Sequence, residues 1–279
     1  MVSSREALQS RLDALILDNR VTIAVIFPLM GAILLISSAE GALPGWLVFN
    51  AWLILIGVLV MRSPVLVGIL PAIRTRAALG LGLLCAYAYL IEAIGVRTGW
   101  PYGPFEYGAA LGPMVAGIPL ALPLLFVPLA LNAYLLWMRW LSVNEQQWQI
   151  VLLAIPTLVA MDLILDPGAV ALGFWSFQGD TPIYGVPVSN YVGWGLSATV
   201  AVALIHVSFD YQMIQERLCS CSFMLDDLVS FLILWGLINI WYAQWGAVIV
   251  AIGLSAILLG SGHFDLRRRH LLDRTAESP

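Results

Sequence analysis

The stretch WQIVLLAIPTLVAMDLIL, residues 148–165, decides the fold class of this chain. It carries a single charge, on Asp162, and as a helix it would extend roughly 27 Å, close to the ~30 Å hydrocarbon core of a bilayer. Seven further mostly apolar runs of sixteen or more residues have the same character, at residues 21–37, 46–61, 77–95, 117–138, 191–209, 228–243 and 245–260. The pattern predicts an all-α, polytopic transmembrane helix bundle of about eight spans.

Composition places the chain among integral membrane proteins. Of its 279 residues, 61% are hydrophobic and only 11% are charged, and the mean hydropathy is +0.90, far outside the range of a soluble globular domain. No polar stretch between the runs is long enough to fold alone, so residues 1–279 are predicted to form one integral membrane domain, multi-pass in the cell membrane. Membrane lipids are its expected surroundings, and no nucleic-acid partner is expected.

The arginines predict the orientation of the spans. All thirteen basic residues are Arg, and with eight spans only Arg97 falls on the side opposite the others. The positive-inside rule makes the Arg-rich side cytoplasmic and places both termini there. Residues 1–20 have their leucines along one helical face and predict an interfacial cytoplasmic helix, and residues 261–279 predict a basic cytoplasmic tail. A seven-span arrangement would send that tail to the other side.

Two loops stand apart from the short connections elsewhere, at residues 96–116 and 166–190. Both are rich in Gly, Pro and aromatic residues, and their turn formers leave little room for a continuous helix. An aromatic belt at the lipid headgroups would explain some of these rings, but their density in two loops favours loops that fold inward over a pocket. The aromatic residues predicted to bind substrate are Trp100, Tyr102, Phe105, Tyr107, Phe174, Trp175, Tyr184, Tyr191 and Trp194, and Phe177 belongs to the same aromatic set of the loops.

Carboxyl groups within the apolar runs are the first candidates for chemistry, because intramembrane charges are costly and usually functional. Asp162 and Asp166 are four residues apart and share one helical face, and Pro167 is predicted to end that span. Glu92 lies near the same end of its own span. The competing interpretations are that Asp166 only caps the turn at Pro167 and that Glu92 pairs with Arg97.

Other polar residues add to this group or stand apart from it. Glu106 and Asn190 lie in the loops and are predicted to converge on the same membrane face as the three carboxyls. Asn132, inside the fourth run, is a candidate substrate contact or a residue that bonds across helices. Asp226 and Asp227 open the seventh run, where carboxylates favour a helix N-terminus.

Clustered carboxyls beside an aromatic, apolar cavity suit acid-catalysed chemistry on a lipophilic alkene. Protonation of a trisubstituted double bond produces a tertiary carbocation, so the site needs a carboxylic acid that keeps its proton near neutral pH. Burial and a second nearby carboxylate both favour that form. Aromatic faces stabilise the cation, by ~2 kcal/mol each when desolvated, and another carboxylate deprotonates the attacking water. No metal or redox cofactor is required.

Four blocks carry a resemblance to a known family: TGWPYGPFEYG at 98–108, GIPLALPLLFVPLALNAY at 117–134, MDLILDPGAVALGFWSF at 161–177 and YGVPVSNYVGW at 184–194. In these blocks the chain resembles the carotenoid biosynthesis membrane protein family, of the bisanhydrobacterioruberin hydratase and carotenoid 1,2-hydratase type. The resemblance implies a cofactor-independent hydro-lyase that adds water to terminal isoprenoid double bonds of a carotenoid within the bilayer, in the archaeal case on the way to bacterioruberin. It is compatible with association with other membrane enzymes of that pathway.

On placement alone, Asp162 is the leading proton donor, Asp166 or Glu92 is the partner that activates water, and Glu106 and Asn190 are positioning groups. Zero lysine and a pI near 5.3 are compatible with a halophilic archaeal source. Two other functional classes stay open. A membrane prenyltransferase would use Asp162 and Asp166 as half of a paired magnesium–diphosphate site, with a second acidic motif on the same face. A carotenoid carrier or transporter would use the aromatic pocket for binding without turnover.

Overall fold

The structure is a computed structural model that describes residues 4–108, 113–141 and 147–262. Within these ranges the chain forms ten α-helices: α1 (Ser4–Asp18), α2 (Phe27–Ala39), α3 (Ala51–Ile69), α4 (Thr75–Thr98), α5 (Leu122–Trp140), α6 (Gln147–Ala171), α7 (Val188–Ser208), α8 (Tyr211–Ser220), α9 (Asp226–Trp241) and α10 (Trp245–Gly260). Four short strands accompany them: β1 (Phe105–Tyr107), β2 (Met114–Val115), β3 (Ile118–Pro119) and β4 (Trp175–Phe177). The basic tail predicted over residues 261–279 lies, from residue 263 onward, outside the described residues.

Six of the described helical segments are long and apolar enough to cross a membrane. They are Thr22–Ala39, Ala51–Ala72, Thr75–Thr98, Leu122–Trp140, Gln147–Ala171 and Val188–Ser208, where the first includes a π-helical turn before α2 and the second a 3-10 turn after α3. The remaining apolar helices, α9 and α10, have 16 residues each, just under the ~17 residues that a span usually needs. The all-α prediction is confirmed, with six helices of full spanning length.

α5 lies at the centre of the bundle. Its residues from 126 to 136 are all buried, as expected of a helix that is apolar around its whole circumference. It contacts α3, α4, α6 and α7. Helices α6 and α7 also pack along each other, and this pairing brings two carboxyls of one helix against an amide of the other.

The two aromatic loops meet at one end of the bundle, called here the loop end, where α4 and α6 finish and α5 and α7 begin. There β1 pairs with β4 in an antiparallel ribbon, with Glu106 opposite Ser176. Side chains alternate across a strand, so the two aromatic residues of β1 share one face and Glu106 points from the other. The ribbon therefore joins loops that are far apart in sequence and sets which of their side chains turn inward.

Pro167 does not end its helix, contrary to the prediction. α6 continues to Ala171, although Pro167 has no N–H to donate. Neighbouring side chains supply donors to the disturbed turn: Asn239 Nδ2 donates to the Ile164 carbonyl at 2.7 Å, and Gln244 Nε2 to the Pro167 carbonyl at 3.0 Å. Proline is tolerated inside membrane helices when neighbouring side chains bond backbone groups around it.

The second span is shifted along the sequence relative to the prediction. Asn50 is the N-cap of α3, where its side chain accepts from the N–H groups of Trp52 and Leu53 at 3.1 and 3.2 Å. The helix then runs past Arg62, which the sequence had placed outside the spans, as far as Ile69. An arginine fits there because a carboxylate neutralises it inside the bundle.

A helix forms where the sequence predicts one at the N-terminus. Gln9 of α1 donates to the Val67 carbonyl of α3 at 3.1 Å, and Arg217 of α8 donates to Asp13 of α1 at 2.7 Å. These contacts attach α1 to the end of the bundle opposite the loops.

Candidate active site

Two carboxyl groups and one amide meet between α6 and α7. Asp162 is fully buried, and Asp166 and Asn190 are only 3% and 2% exposed. The Asn190 amide nitrogen lies 2.9 Å from Asp162 Oδ2 and 2.5 Å from Asp166 Oδ2. The two carboxyls also interact electrostatically with each other, and a proton on one of them would let it donate a hydrogen bond to the other. The arrangement is a pair of neighbouring acids that share one amide donor.

Helix geometry explains the pair. Residues four apart lie on the same face of a helix, and here that face turns towards α7. No salt bridge reaches either aspartate within the described parts of the chain. The Asn190 amide, rather than a cation, therefore donates to this pair, and among the described residues Asp162 Oδ1 has no hydrogen-bond partner.

A third carboxyl, Glu92, comes from α4 and is held from the first loop. The Tyr107 hydroxyl donates a hydrogen bond to Glu92 Oε1. Burial, reinforced by the neighbouring Glu92 carboxyl, raises the pKa of Tyr107 well above its ordinary value, so this phenol stays a donor across the physiological range. Among the described residues, Glu92 does not form the ion pair with Arg97 that the competing interpretation required.

These groups border a cavity of about 270 Å³. Glu92, Asp166 and Asn190 line it, whereas Asp162 lies behind Asp166 and does not. Aromatic rings form much of the rest of the wall near the carboxyls: Tyr102, Phe105, Tyr107, Phe126, Phe174, Trp175, Phe177 and Trp194. The prediction that the two loops fold inward over a pocket is confirmed.

The rings around the carboxyls hold each other in place. Phe105 packs against Phe177 with centroids 5.7 Å apart, and Tyr107 meets Trp175 edge-on at 6.3 Å. Tyr102 is fixed by its hydroxyl, which lies 2.7 Å from Ser197 Oγ. Rings fixed by such contacts present constant π faces to a bound group, as stabilisation of a cation needs.

A sequence model of the family described as carotenoid biosynthesis protein matches residues 49–258. The chain belongs to this family. A bisanhydrobacterioruberin hydratase of Haloarcula japonica is 49% identical to it over 258 residues, which are 92% of this chain and 88% of that relative. No solved structure matches the chain. The family resemblance drawn from the four sequence blocks is confirmed.

In this carotenoid biosynthesis protein, some of the predicted site residues lie away from the cavity. Glu106 is exposed on the outer face of β1, so the structure does not bring it to the other carboxyls. Trp100 is 57% exposed. Tyr184 is 41% exposed, and its hydroxyl accepts a hydrogen bond from the Gly246 N–H at 2.9 Å. Tyr191 lies within electrostatic range of both aspartates, in α7, without lining the cavity.

Asn132 belongs to a second polar cluster at the opposite end of the bundle. Its amide donates to Asp227, and Asp227 accepts from Arg62 at 2.9 and 3.1 Å. The next residue, Asp226, forms a two-bond pair with Arg20 at 2.5 and 2.8 Å. All five side chains are buried, so Asn132 bonds across helices, as the competing interpretation had it.

Sequence reasoning missed these ion pairs, although a signal was present. Arg62 interrupts an apolar run, and a charge in that position needs a buried partner of opposite sign. The Asp226–Asp227 pair supplies partners, but nothing in the sequence links residues more than 160 positions apart. A magnesium–diphosphate site would have needed a second acidic motif beside Asp162 and Asp166. Asp226 and Asp227 instead form ion pairs with arginines at the opposite end of the bundle.

The apolar wall of the cavity opposite the loops was missed as well. It comes from α2, α3 and α9, and includes Leu34, Leu53, Gly57, Met61 and Trp235. These are ordinary residues of apolar spans, so their composition holds no signal that separates cavity wall from lipid-facing surface.

Proposed function

We propose that this protein is a carotenoid hydratase, which adds water to a terminal isoprenoid double bond of a carotenoid by protonation through a carbocation. The observation that carries the proposal is the buried carboxyl pair Asp162–Asp166, held by Asn190 beside an aromatic, apolar cavity. The 49% identical relative is a bisanhydrobacterioruberin hydratase, and this supports bisanhydrobacterioruberin as the substrate.

Protonation of the double bond comes first. Asp166 borders the cavity and Asp162 does not, so Asp166 is the group that delivers the proton, in place of the Asp162 donor favoured from the sequence. The proton bonds to the less substituted alkene carbon, and the π electrons leave a tertiary cation on the other carbon. Asn190 then stabilises the carboxylate that forms on Asp166, through the hydrogen bond it already donates to it.

Capture of the cation by water completes the addition. The water oxygen bonds to the cationic carbon, and Glu92, on the cavity wall, accepts the proton that this oxygen loses. The aromatic rings stabilise the cation in the interval, by ~2 kcal/mol for each desolvated ring. Return of the proton from Glu92 to Asp166, directly or through water, restores the site, so that alkene and water are consumed and only a tertiary alcohol is formed. No step draws on a metal or a redox cofactor.

The arrangement in the membrane follows from the two short helices. Asp226 at the start of α9 pairs with Arg20, and Trp241 at its end donates to Glu40 at 3.3 Å, so α9 runs beside the full length of the segment Thr22–Ala39. α10 likewise begins beside the C-terminal end of α6. Its last turn lies beside Trp140, whose indole donates to the Ile257 carbonyl at 2.9 Å. These contacts support eight spans in the cell membrane.

With eight spans, both termini lie on the Arg-rich side, which the positive-inside rule makes cytoplasmic. The acid site then lies towards the outer surface. The expected partners are the carotenoid, the surrounding lipids and other membrane enzymes of the same pathway, and one membrane domain comprises residues 1–279.

The test is conversion of pigment in a host that makes bisanhydrobacterioruberin. Wild type and an Asp180→Asn control, altered at an exposed loop carboxyl, are expected to add water, seen as a gain of pigment mass and polarity. Asp166→Asn is expected to lose ~10²–10⁴-fold in rate, the usual contribution of a general acid. Asp162→Asn is expected to lose activity because it removes the carboxyl that lies beside the Asp166 proton donor.

Two outcomes would contradict the proposal. Wild type that leaves pigment mass unchanged while the pigment co-purifies with it would identify a carrier. Full activity in Asp166→Asn would separate the reaction from this carboxyl pair.

A further inference from the structure

The cavity beside the acid pair is too small to enclose a whole carotenoid. Its volume of about 270 Å³ lies just below the ~300–1,000 Å³ typical of pockets that take compact ligands. A long polyene would place only one end inside. The remainder of the chain must then leave the protein through an opening, and its apolar surface favours an opening into lipid rather than into water.

The loop end of the cavity is closed. The ribbon of β1 and β4 lies over it, and Phe105 contacts the rings of Tyr107 and Phe177 there with centroids 5.8 and 5.7 Å apart. Phe49, from the turn before α3, packs against Phe174 at 5.6 Å. A chain-shaped substrate would have to separate these rings to enter from this end.

A buried ion pair lies at the opposite end of the cavity. Arg62 lines that end and bonds to Asp227, and both are buried at 7% and 0% exposure. Passage of a polyene there would separate a buried ion pair, which is strongly unfavourable.

A lateral side of the cavity lies between α2 and α3, which both contribute to its wall. Leu34 of α2 and Leu53 of α3 line the cavity and are nevertheless 40% and 47% exposed. Both lie within helices long and apolar enough to span a membrane, so the surface they expose faces lipid. Gly57, one turn further along α3, also lines the cavity, and a Cβ built on it would meet no atom within 4 Å.

We propose that the cavity opens laterally into the bilayer between α2 and α3, and that the carotenoid end group enters through this opening past Leu53 and Gly57 while the polyene stays partly in lipid. The inference rests on the proposed hydratase function. It adds the route by which the substrate enters the site and the helix surface that contacts its polyene. Gly57 leaves space for that chain where a side chain would fill it.

Matched substitutions at two glycines test the opening. Gly57→Phe fills the space beside the cavity, whereas Gly82→Phe adds the same ring at an exposed position of α4, where a Cβ also meets no atom within 4 Å and which does not line the cavity. In the pigment-converting host, Gly57→Phe is expected to lower hydration at least tenfold, and Gly82→Phe to match wild type. Protein yield and thermal stability in detergent are measured for both.

Leu53→Trp against Leu83→Trp provides the same comparison if Gly57→Phe does not fold, since Leu83 is 61% exposed and does not line the cavity. Wild-type rates in folded Gly57→Phe or Leu53→Trp, or equal losses in the control variants, would overturn the lateral opening. Failure of wild type itself to hydrate the pigment would instead overturn the proposed function, so the two failures are distinct.

Discussion

The amide nitrogen of Asn190 lies 2.5 Å from Asp166 and 2.9 Å from Asp162, so a single side chain of α7 donates to both carboxyls of α6. An amide has two N–H donors, and here both point at acids rather than at backbone. The contact holds the two carboxyls side by side, and in the proposed reaction it stabilises the carboxylate that forms on Asp166. In the proposed mechanism Asn190 is a positioning residue for the acid pair.

Replacing Asn190 by Ala should slow hydration by ~10²–10³-fold, the effect of losing one preorganised donor beside a developing negative charge. The lost donor acts on the carboxyls, so the pH dependence of the rate should move as well. Pigment conversion measured over a range of pH checks both. Asn19→Ala, at an exposed residue outside the site, is the control, and an unchanged pH profile in Asn190→Ala would argue that Asn190 is only a packing residue.

Tyr107→Phe should reduce the rate through Glu92. The phenol donates to this carboxyl, and because burial raises the Tyr107 pKa it remains protonated at every pH at which the cell works. Without it, Glu92 loses the contact that orients it towards the cavity.

A double-mutant cycle of Tyr107→Phe with Glu92→Gln measures this coupling. Glu92→Gln alone should cost ~10²–10⁴-fold, and adding Tyr107→Phe to it should cost little more. Fully additive losses would mean that the two side chains act independently.

Asp227→Asn should destabilise the fold by about 3–5 kcal/mol, because it leaves Arg62 charged and buried without its counter-ion. Thermal or denaturant unfolding in detergent measures the loss. Asp13→Asn removes a part-exposed pair with Arg217 and should cost no more than about 1 kcal/mol. The double variant Arg62→Met, Asp227→Leu should recover much of the stability, and if it does not, packing rather than charge accounts for the effect.

Cysteine labelling should report the orientation of the bundle. Cys219 is exposed on α8, whereas burial raises the pKa of Cys221 to about 11, so that at neutral pH almost all of the Cys221 thiol is protonated and unreactive. A membrane-impermeant maleimide should label Cys219 in inside-out vesicles and not in intact cells. Cys221→Ala should keep this labelling and Cys219→Ala should lose it. Labelling of Cys219 in intact cells would reverse the proposed topology.

The sequence predicted those candidate site residues whose side chains are unusual among their neighbours in the chain. Asp162, Asp166 and Glu92 stand out because carboxyls inside apolar runs are costly, and helical spacing alone puts the first two on one face. Glu106 looked equivalent by composition, but the pairing of β1 with β4 turned it outward. That register depends on a second loop about seventy residues away, which no local pattern specifies.

By itself, the sequence determined that this protein is an all-α chain with long apolar helices and that acidic and aromatic residues gather near one end of them, because hydrophobicity, helical period and turn formers act locally. Only the tertiary structure decided that Asp166 borders the cavity while Asp162 lies behind it, that Pro167 sits within a helix, and that Arg62 pairs with Asp227 inside the bundle. These features depend on helix packing and on contacts between residues that are distant in sequence. The free energy of each buried polar group depends on the partner it meets, and local sequence does not specify that partner.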